Sequence, residues 1–346
     1  MRVVVTVCTR ERPQMLRACL ESLTTQNVPP GISLALIVVE NDSVTRCAKL
    51  VSQLNERSPV PITYAFEPRL GIPVARNRAL AIALELQPDW IAFIDDDETA
   101  APEWIANFVE TSKTLQCDVL QGPVESVYPE APPSWMKIPV RKHQPTGLEL
   151  RTAATSNTFM RARLACPKGL ALRFNEGMRF TGGSDNEYFF RAADLGARIC
   201  WSNETPVYEN VPRIRLTLRW QLYRSLRVAA NTVAIQESRL GRKSAAAKCI
   251  PKYLARLLRG LMVTPVVAPI AVLPWAAGKR LFVSGLGDLA SGIGGLGAYF
   301  GLQPQPYRIV DGTPWSWFNS IRLAQRAARV KSRNTQYVAG SRRGPR

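Results

Sequence analysis

Histidine is almost absent from this chain, in which His143 is the single histidine among 346 residues. The seven cysteines are scattered along the sequence, and no two of them form a Cys-x-x-Cys pair. One histidine and isolated cysteines do not supply the ligands of an ordinary zinc site. The composition therefore excludes such a site, and we expect reduced thiols in a cytoplasmic compartment.

A glycine-rich phosphate loop is also missing after the first predicted strand, residues 3–8. That loop is the fingerprint of dinucleotide-binding domains. The pattern Gly292-x-Gly294-x-x-Gly297 matches the fingerprint, but it lies in an apolar region with no β-α-β context, so we discount it. Residues 1–5 lead straight into the strand and lack the layout of a signal peptide.

Acidic residues are scarce in the C-terminal part of the chain. Residues 211–346 contain 23 of the 45 lysines and arginines but three acids, whereas residues 1–210 contain 22 basic and 24 acidic residues. The N-terminal part is therefore nearly neutral, and the net charge of +18 comes from the C-terminal part. A basic region of this size needs an anionic partner, either nucleic acid or an anionic membrane surface.

The most unusual stretch is residues 90–98, where an apolar run rich in aromatic and β-branched residues ends in four consecutive acids. The apolar part predicts a buried strand. Adjacent carboxylates repel one another unless a cation compensates, and hard divalent ions bind such oxygens together with substrate phosphates. The alternative is a solvated acidic turn that caps the next helix, which Glu98 and Glu103 would suit.

Four predicted strands, at residues 3–8, 34–39, 62–66 and 90–94, are each followed by a predicted helix. This alternation predicts an α/β fold with a mostly parallel sheet flanked by helices. Each strand ends in polar residues, which would meet at one edge of the sheet. Nucleotides bind at such edges.

Further along, Gly182 and Gly183 precede a predicted helix in which Ser184 or Asp185 would be the N-cap. From local sequence alone, a cap is the favoured role for Asp185.

The basic C-terminal part contains a helix at residues 213–227 in which arginines alternate with aromatic residues. Two largely uncharged runs follow, at 260–278 and 281–302. Each is long enough to span a bilayer, but prolines and Asp288 weaken that prediction, and a buried or an in-plane interfacial hairpin is equally compatible. Residues 322–346 are predicted to form a basic, disordered tail.

Five motifs in this order resemble those of family 2 glycosyltransferases, which have the GT-A fold, a Rossmann-like nucleotide-sugar-binding fold. The motifs are VTVCTRERP at 5–13, VVENDS at 38–43, GIPVARN at 71–77, FIDDDE at 93–98 and GSDNE at 183–187. The segments 67–72 and 122–135 are most similar to bacterial exopolysaccharide glucosyltransferases of the succinoglycan type. The resemblance covers about residues 1–228.

The resemblance implies roles for several residues of these motifs. The loop after the first strand and the acids after the second strand would hold the nucleotide. The four consecutive acids at 95–98, the acidic turn, would bind the diphosphate and a Mg²⁺ or Mn²⁺ ion. The implied metal ligands are Asp97, the first choice, and Asp95. The implied nucleotide-sugar-binding residues are Thr9, Arg12, Glu40, Asp42, Arg76, Asp95 and Asp96.

The resemblance also implies that Asp185 is the catalytic base of an inverting transfer, with Glu187 as the reserve candidate. Many relatives have a metal-binding histidine shortly after the last core strand, but residues 207–210 of this chain contain none. Either Glu209 replaces it, or the acidic turn, the diphosphate and water hold the metal.

The sequence thus predicts a glycosyltransferase that transfers glucose from UDP-glucose to a lipid-linked saccharide in exopolysaccharide biosynthesis. We expect it at the cytoplasmic face of the plasma membrane, attached through 250–310 to an anionic surface, with no nucleic acid partner. The predicted domains are a catalytic domain at 1–228, a basic and partly apolar helical region at 229–321, and the tail at 322–346. The alternatives are a nucleic-acid-binding protein, which would have no use for the apolar runs, and a nucleotidyltransferase, which would usually carry the missing glycine-rich loop.

Overall fold

The computed structural model describes residues 1–138, 144–272 and 275–307. His143 and the predicted tail at 322–346 lie outside these described residues. The chain divides into two units. Within the described residues, the first unit contains 1–131, 144–179 and 184–212, and the second contains 132–138, 180–183 and the segments after 213.

The first unit contains the α/β part of the chain. Its strands are β1 (Arg2–Thr9), β2 (Ser33–Glu40), β3 (Ile62–Phe66), β4 (Trp90–Asp95), β5 (Glu98–Ala100), β6 (Val119–Gln121), β7 (Val124–Val127), β8 (Glu149–Leu150), β9 (Thr158–Arg161), β10 (Ile199–Trp201) and β11 (Val207–Asn210). Its α-helices are α1 (Pro13–Thr24), α2 (Ala48–Asn55), α3 (Ile72–Glu85), α4 (Trp104–Thr114) and α5 (Ser184–Asp194).

The main sheet has the strand order β3-β2-β1-β4-β9-β6-β10-β8. The four predicted strands, β1 to β4, are parallel neighbours, as expected. Their registers bring the carboxyl ends together, because Thr9 pairs with Glu40 and Cys8 pairs with Asp95. The predicted gathering of polar strand ends at one edge is therefore confirmed.

The core lies on both faces of this sheet. Side chains of a strand alternate between faces, so Val3 and Val5 of β1 pack with α1, α2 and α4, whereas Val4 packs with α3 and α5. Burial on both faces explains why these strands are continuous apolar runs. It also fixes α3 and α5 on the same side of the sheet.

The other half of the sheet is mixed. Strand β9 is antiparallel to both of its neighbours, β4 and β6. A second sheet, of order β5-β11-β7, begins directly after the acidic turn. Strand β5 has no signal in the sequence, because it is three residues long, begins with Glu98 and contains no apolar run.

Cys117 and Cys200 are joined by a disulfide bond, so the prediction of reduced thiols is wrong for this pair. Cys117 lies just before β6 and Cys200 lies in β10, and these two strands are parallel neighbours. The two cysteines are 83 positions apart, so no local spacing reveals their pairing. Among the described residues, the other five cysteines are free.

The second unit is helical. It contains a 3-10 turn (Arg213–Leu216) and the helices α6 (Leu218–Leu240), α7 (Arg242–Ala271) and α8 (Ala276–Ala298). By length and composition, α7 and α8 could each cross a membrane, a property that they share with buried helices of soluble proteins. Residues 213–228, which the sequence analysis assigned to the catalytic domain, lie in this unit.

Glycines of α8 allow close packing within the second unit. A Cβ at Gly292 would lie 2.7 Å from the Cβ of Leu257 in α7, and a Cβ at Gly285 would lie 2.6 Å from the Thr264 hydroxyl. Gly292 and Gly294 therefore serve helix packing, which agrees with discounting them as a phosphate loop.

Candidate active site

The acidic turn follows β4 at the carboxyl edge of the main sheet. Asp95 ends β4, and Glu98 begins β5. The Asp95 amide donates a hydrogen bond to the Glu98 carboxylate at 2.9 Å, and the Asn210 amide donates to the Asp97 carbonyl at 3.0 Å. Asp96, Asp97 and Glu98 are buried, so the alternative of a solvated turn that caps α4 is wrong.

Two residues of the first loop hold the turn from the side of β1. The Thr9 hydroxyl donates a hydrogen bond of 2.7 Å to Asp96. Arg12, the residue before α1, donates to both Asp96 and Asp97 at 3.2 Å. Desolvation raises the pKa of Asp96, and Arg12 opposes this shift. Asp96 therefore anchors the turn within the protein.

Arg76 connects the acidic turn to α5. Its guanidinium lies 3.7 Å from a carboxylate oxygen of Asp95 and 3.4 Å from the Ser184 hydroxyl, and it stacks over the Phe174 ring. The side chain of Arg76 is 11% exposed and that of Asp95 is 46% exposed, so solvent screens their ion pair in part. Because Ser184 is the first residue of α5, this contact fixes the start of the helix that contains Asp185.

Asp95 is the most accessible acid of the turn, with 46% of its side chain exposed. Desolvation among the surrounding protein atoms raises its pKa to about 7, and Arg76 opposes this rise. The negative charges of Asp97, Asp96 and Asp185 raise it further. The site therefore carries more negative charge than its arginines neutralise, which favours a cation as ligand.

Glu40 and Asp42 lie at the end of β2 and are engaged within their own loop. Glu40 is fully buried and accepts hydrogen bonds from the Cys47 amide at 3.1 Å and the Tyr64 hydroxyl at 2.6 Å. Asp42 accepts from the Ser43 amide at 2.6 Å. The structure thus assembles Thr9, Arg12, Arg76 and the acidic turn directly, while Glu40 and Asp42 shape the loop between β2 and α2.

Asn41 is a residue that the sequence analysis missed. Its side-chain amide donates to the carbonyls of Glu67 and Arg69 at 2.8 and 3.1 Å, and its carbonyl accepts from the Gly71 amide at 2.8 Å. These bonds hold the loop that leads into α3 and therefore orient Arg76. The sequence feature that could have identified Asn41 is its position directly after a buried strand, between two acids.

The two candidate bases lie in the first turn of α5. Asp185 is half-buried and close enough to Asp95 to raise its pKa. Glu187 is buried and forms an ion pair with Arg191 at 2.6 Å. Of the two candidates, Asp185 is therefore the carboxylate whose charge interacts with the acidic turn.

The donor set for a metal ion consists of carboxylate oxygens. Within residues 1–138, 144–272 and 275–307, no group of three or more His, Cys, Asp or Glu side chains could hold a metal ion by itself. Glu209, the predicted substitute for histidine, lies opposite Glu98 in the second sheet. Asp95 and Asp97 fit a hard divalent cation that takes its other ligands from a diphosphate and water.

Solved structures with the same architecture include the mannosyltransferase PcManGT from Pyrobaculum calidifontis in complex with GDP-Man and Mn²⁺. It aligns with a TM-score of 0.53 at 15% identity, over 85% of this chain and 86% of that chain. S. aureus TarS 1–349 in complex with UDP-GlcNAc aligns with a TM-score of 0.51 at 18% identity, over 90% and 95%. The protein therefore has the GT-A fold, the class that the sheet and the acidic turn define.

Sequence comparison identifies the family within this class. The family described as Glycosyl transferase family 2 matches residues 3–174. The succinoglycan biosynthesis protein ExoM of Rhizobium meliloti (strain 1021) is 32% identical over 234 residues, which cover 66% of this chain and 72% of that protein. The chain belongs to family 2 of the glycosyltransferases.

Proposed function

We propose that the protein is an inverting hexosyltransferase that transfers glucose from UDP-glucose to a lipid-linked saccharide during exopolysaccharide biosynthesis. The observation that carries the proposal is the bridge made by Arg76, which contacts Asp95 at 3.7 Å and Ser184 at 3.4 Å. It links the acids proposed for the donor to the helix that contains the proposed base. The 32% identity to a succinoglycan biosynthesis protein supports the choice of pathway.

The donor would lie along the carboxyl ends of β1, β2 and β4. Thr9 and Arg12, with the loop shaped by Glu40 and Asp42, would receive the nucleoside, and Asp96 would keep that loop aligned with the acidic turn. Asp97 and Asp95 would hold Mg²⁺ or Mn²⁺, which when bound neutralises charge on the diphosphate. Arg76 would supply a fixed positive charge at the same place.

Asp185 would act as the general base. Its carboxylate takes the proton of the acceptor hydroxyl while that oxygen bonds to the anomeric carbon of the sugar. The bond from that carbon to the diphosphate oxygen breaks at the same time, so the configuration inverts and the nucleoside diphosphate leaves. Ser184 and Arg76 would keep the base oriented.

The second unit would attach the enzyme to an anionic membrane surface at its cytoplasmic face, through 250–310. The supporting features are the basic excess after residue 211 and the apolar helices α7 and α8. Nucleic acid is a less suitable partner, because the apolar helices α7 and α8 would have no role in binding it.

A panel of nucleotide sugars tests the proposed donor. Purified full-length protein is incubated with each sugar in the presence of Mg²⁺ or Mn²⁺, and release of nucleoside diphosphate is measured. We expect the fastest turnover with UDP-glucose and none after chelation of the metal. Equal turnover in chelator would contradict the metal site, and preference for another sugar would contradict the donor.

A further inference from the structure

Helix α7 exposes a continuous apolar stripe. Seven apolar side chains of the helix are each at least 40% exposed: Ile250, Leu254, Leu258, Leu261, Met262, Val266 and Ile270. At about 100° per residue, the first five lie within about 120° of the helix circumference, and the last two continue the stripe around the helix. The opposite face is buried within the helical unit, at Ala245, Cys249, Tyr253 and Gly260. The stripe is therefore an apolar surface in addition to the face that packs the unit.

Positive charge accompanies the stripe. Lys248, Lys252 and Arg256 follow one another at intervals of four residues and are exposed. At about 100° per residue, they lie about 160° around the helix from Ile250, Leu254 and Leu258, so they project away from the stripe. Helix α7 contains six lysines and arginines and no acid. A helix with an apolar face on one side and cations on the other suits the interface of an anionic membrane, which is apolar in its interior and anionic at its surface.

The positions of the cations along α7 do not suit a membrane span. After its last cation, Arg259, the helix continues for 12 residues to Ala271. These cover about 18 Å at 1.5 Å per residue, whereas the hydrocarbon core is about 30 Å thick. The cationic half of the helix would have to enter the hydrocarbon to complete the crossing.

Helix α8 does not supply the span either. Asp288, near its middle, is buried and accepts a hydrogen bond of 2.7 Å from Arg259 of α7. Gly285 and Gly292 bring its backbone against Thr264 and Leu257. These contacts make α8 a packing partner of α7.

We propose that α7 lies in the plane of an anionic membrane, with its stripe from Ile250 to Ile270 buried below the headgroups and its cations among them. This inference rests on the proposed membrane association and replaces a span by a peripheral, in-plane attachment. The partner is the anionic lipid surface, and no protein partner is required.

Sedimentation of the full-length protein with vesicles tests the stripe. The vesicles contain phosphatidylcholine alone or an equimolar mixture with phosphatidylglycerol. We expect Leu254→Glu combined with Leu258→Glu to weaken binding to the mixed vesicles at least about tenfold, because both exposed side chains lose their place in the apolar layer. Leu195→Glu is the matched control, since Leu195 is 57% exposed in the first unit and should leave binding unchanged.

The charge variant Lys252→Gln with Arg256→Gln separates the electrostatic contribution. We expect about fivefold weaker binding to the mixed vesicles for each charge removed, and no change with phosphatidylcholine alone. Unchanged binding of either double variant would overturn the proposal. So would a change of oligomeric state caused by Leu254→Glu and Leu258→Glu without vesicles, which would assign the stripe to a second copy.

Two readouts keep this test apart from that of the proposed function. Extraction of bound protein by alkaline carbonate is expected for an in-plane helix, and retention in the membrane pellet would overturn the proposal in favour of a span. Hydrolysis of UDP-glucose in solution should be the same in all these variants. Absence of hydrolysis with normal vesicle binding would contradict the proposed function and leave the in-plane attachment standing.

Discussion

Arg76 contacts both sides of the proposed reaction site, and its geometry should matter more than its charge. Lysine would keep the charge but could not reach Asp95 and Ser184 with one planar group. We expect Arg76→Lys to lower kcat about 10- to 100-fold with little change in KM, because one to two charge-assisted contacts are lost. Arg17→Lys is the control, since Arg17 forms an exposed ion pair with Glu21. Normal kcat in Arg76→Lys would remove it from the site.

The two proposed acidic roles can be separated by their effects on binding. Asp97→Asn and Asp185→Asn should each abolish transfer while the protein stays folded. Metal-dependent affinity for UDP, measured by calorimetry, should fall in Asp97→Asn, because a carboxylate ligand is lost, and stay normal in Asp185→Asn.

Glu110→Gln controls for the change of charge, as Glu110 is an exposed surface residue of α4. Near-normal turnover of Asp185→Asn would exclude Asp185 as the base. Weak UDP binding by that variant would instead assign Asp185 to the donor.

Asn41 should contribute to stability as well as to the site. Asn41→Ala leaves the Gly71 amide and the carbonyls of Glu67 and Arg69 without their partner. We expect the free energy of unfolding in urea to fall by about 2–3 kcal/mol. Asn107→Ala, which removes one exposed hydrogen bond to the Glu204 carbonyl, should cost under about 1 kcal/mol. Equal losses of unfolding free energy in the two variants would show that the three hydrogen bonds of Asn41 contribute no more than one exposed hydrogen bond.

At the scale of elements, the sequence predicted the strands that have a strong local pattern. Strands β1, β2 and β4 are apolar runs with polar ends, and burial on both faces requires that pattern. Strand β3, at the edge of the sheet, is only partly buried. The direction of β9 and the pairing of β5 with β11 depend on partners more than 60 positions away in the chain.

The same distinction applies to the candidate site. The types of residue in the acidic turn predicted an anionic site, and their order along the chain matched a family. The sequence did not show which acids of the turn are paired within the protein and which is accessible. In the structure, Arg12 pairs with Asp96 and Asp97, while Asp95 stays accessible. This pairing depends on the conformation of the loop before α1, which tertiary packing determines.

Glycines of α8 provide a test of helix packing. A Cβ at Gly292 would lie 2.7 to 2.9 Å from Leu257, including its backbone, whereas one at Gly287 would come no closer than 3.8 Å to another residue. We expect Gly292→Ala to cost about 1–3 kcal/mol through overpacking. Gly287→Ala should be neutral or stabilising by up to about 1 kcal/mol, because alanine favours the helix. Thermal unfolding measures both, and equal effects would contradict the close packing.

At the scale of the whole molecule, the chain passes between the two units several times. The helical unit includes 132–138 and 180–183. Arg280 donates a hydrogen bond of 2.8 Å to the Ser134 carbonyl, and Asn231 donates one of 2.8 Å to the Thr181 carbonyl. A cut at residue 212 would remove the partners of both segments.

A fragment of residues 1–212 should therefore not fold as an independent domain. We expect it to aggregate or to unfold at a lower temperature than the full chain, as followed by circular dichroism. A fragment with the thermal stability of the full chain and normal UDP binding would contradict this prediction, and would show that the two segments need no helical partner.

The exposed stripe of α7 has a consequence for how the enzyme meets its acceptor. A protein held in the plane of the membrane shares a two-dimensional space with any lipid-linked saccharide. Confinement to one layer raises the effective concentration of both reactants without adding a contact between them. If α7 lies in the plane of the membrane as proposed, the enzyme meets its acceptor by lateral diffusion. The acceptor site can then bind a single sugar weakly and still be saturated.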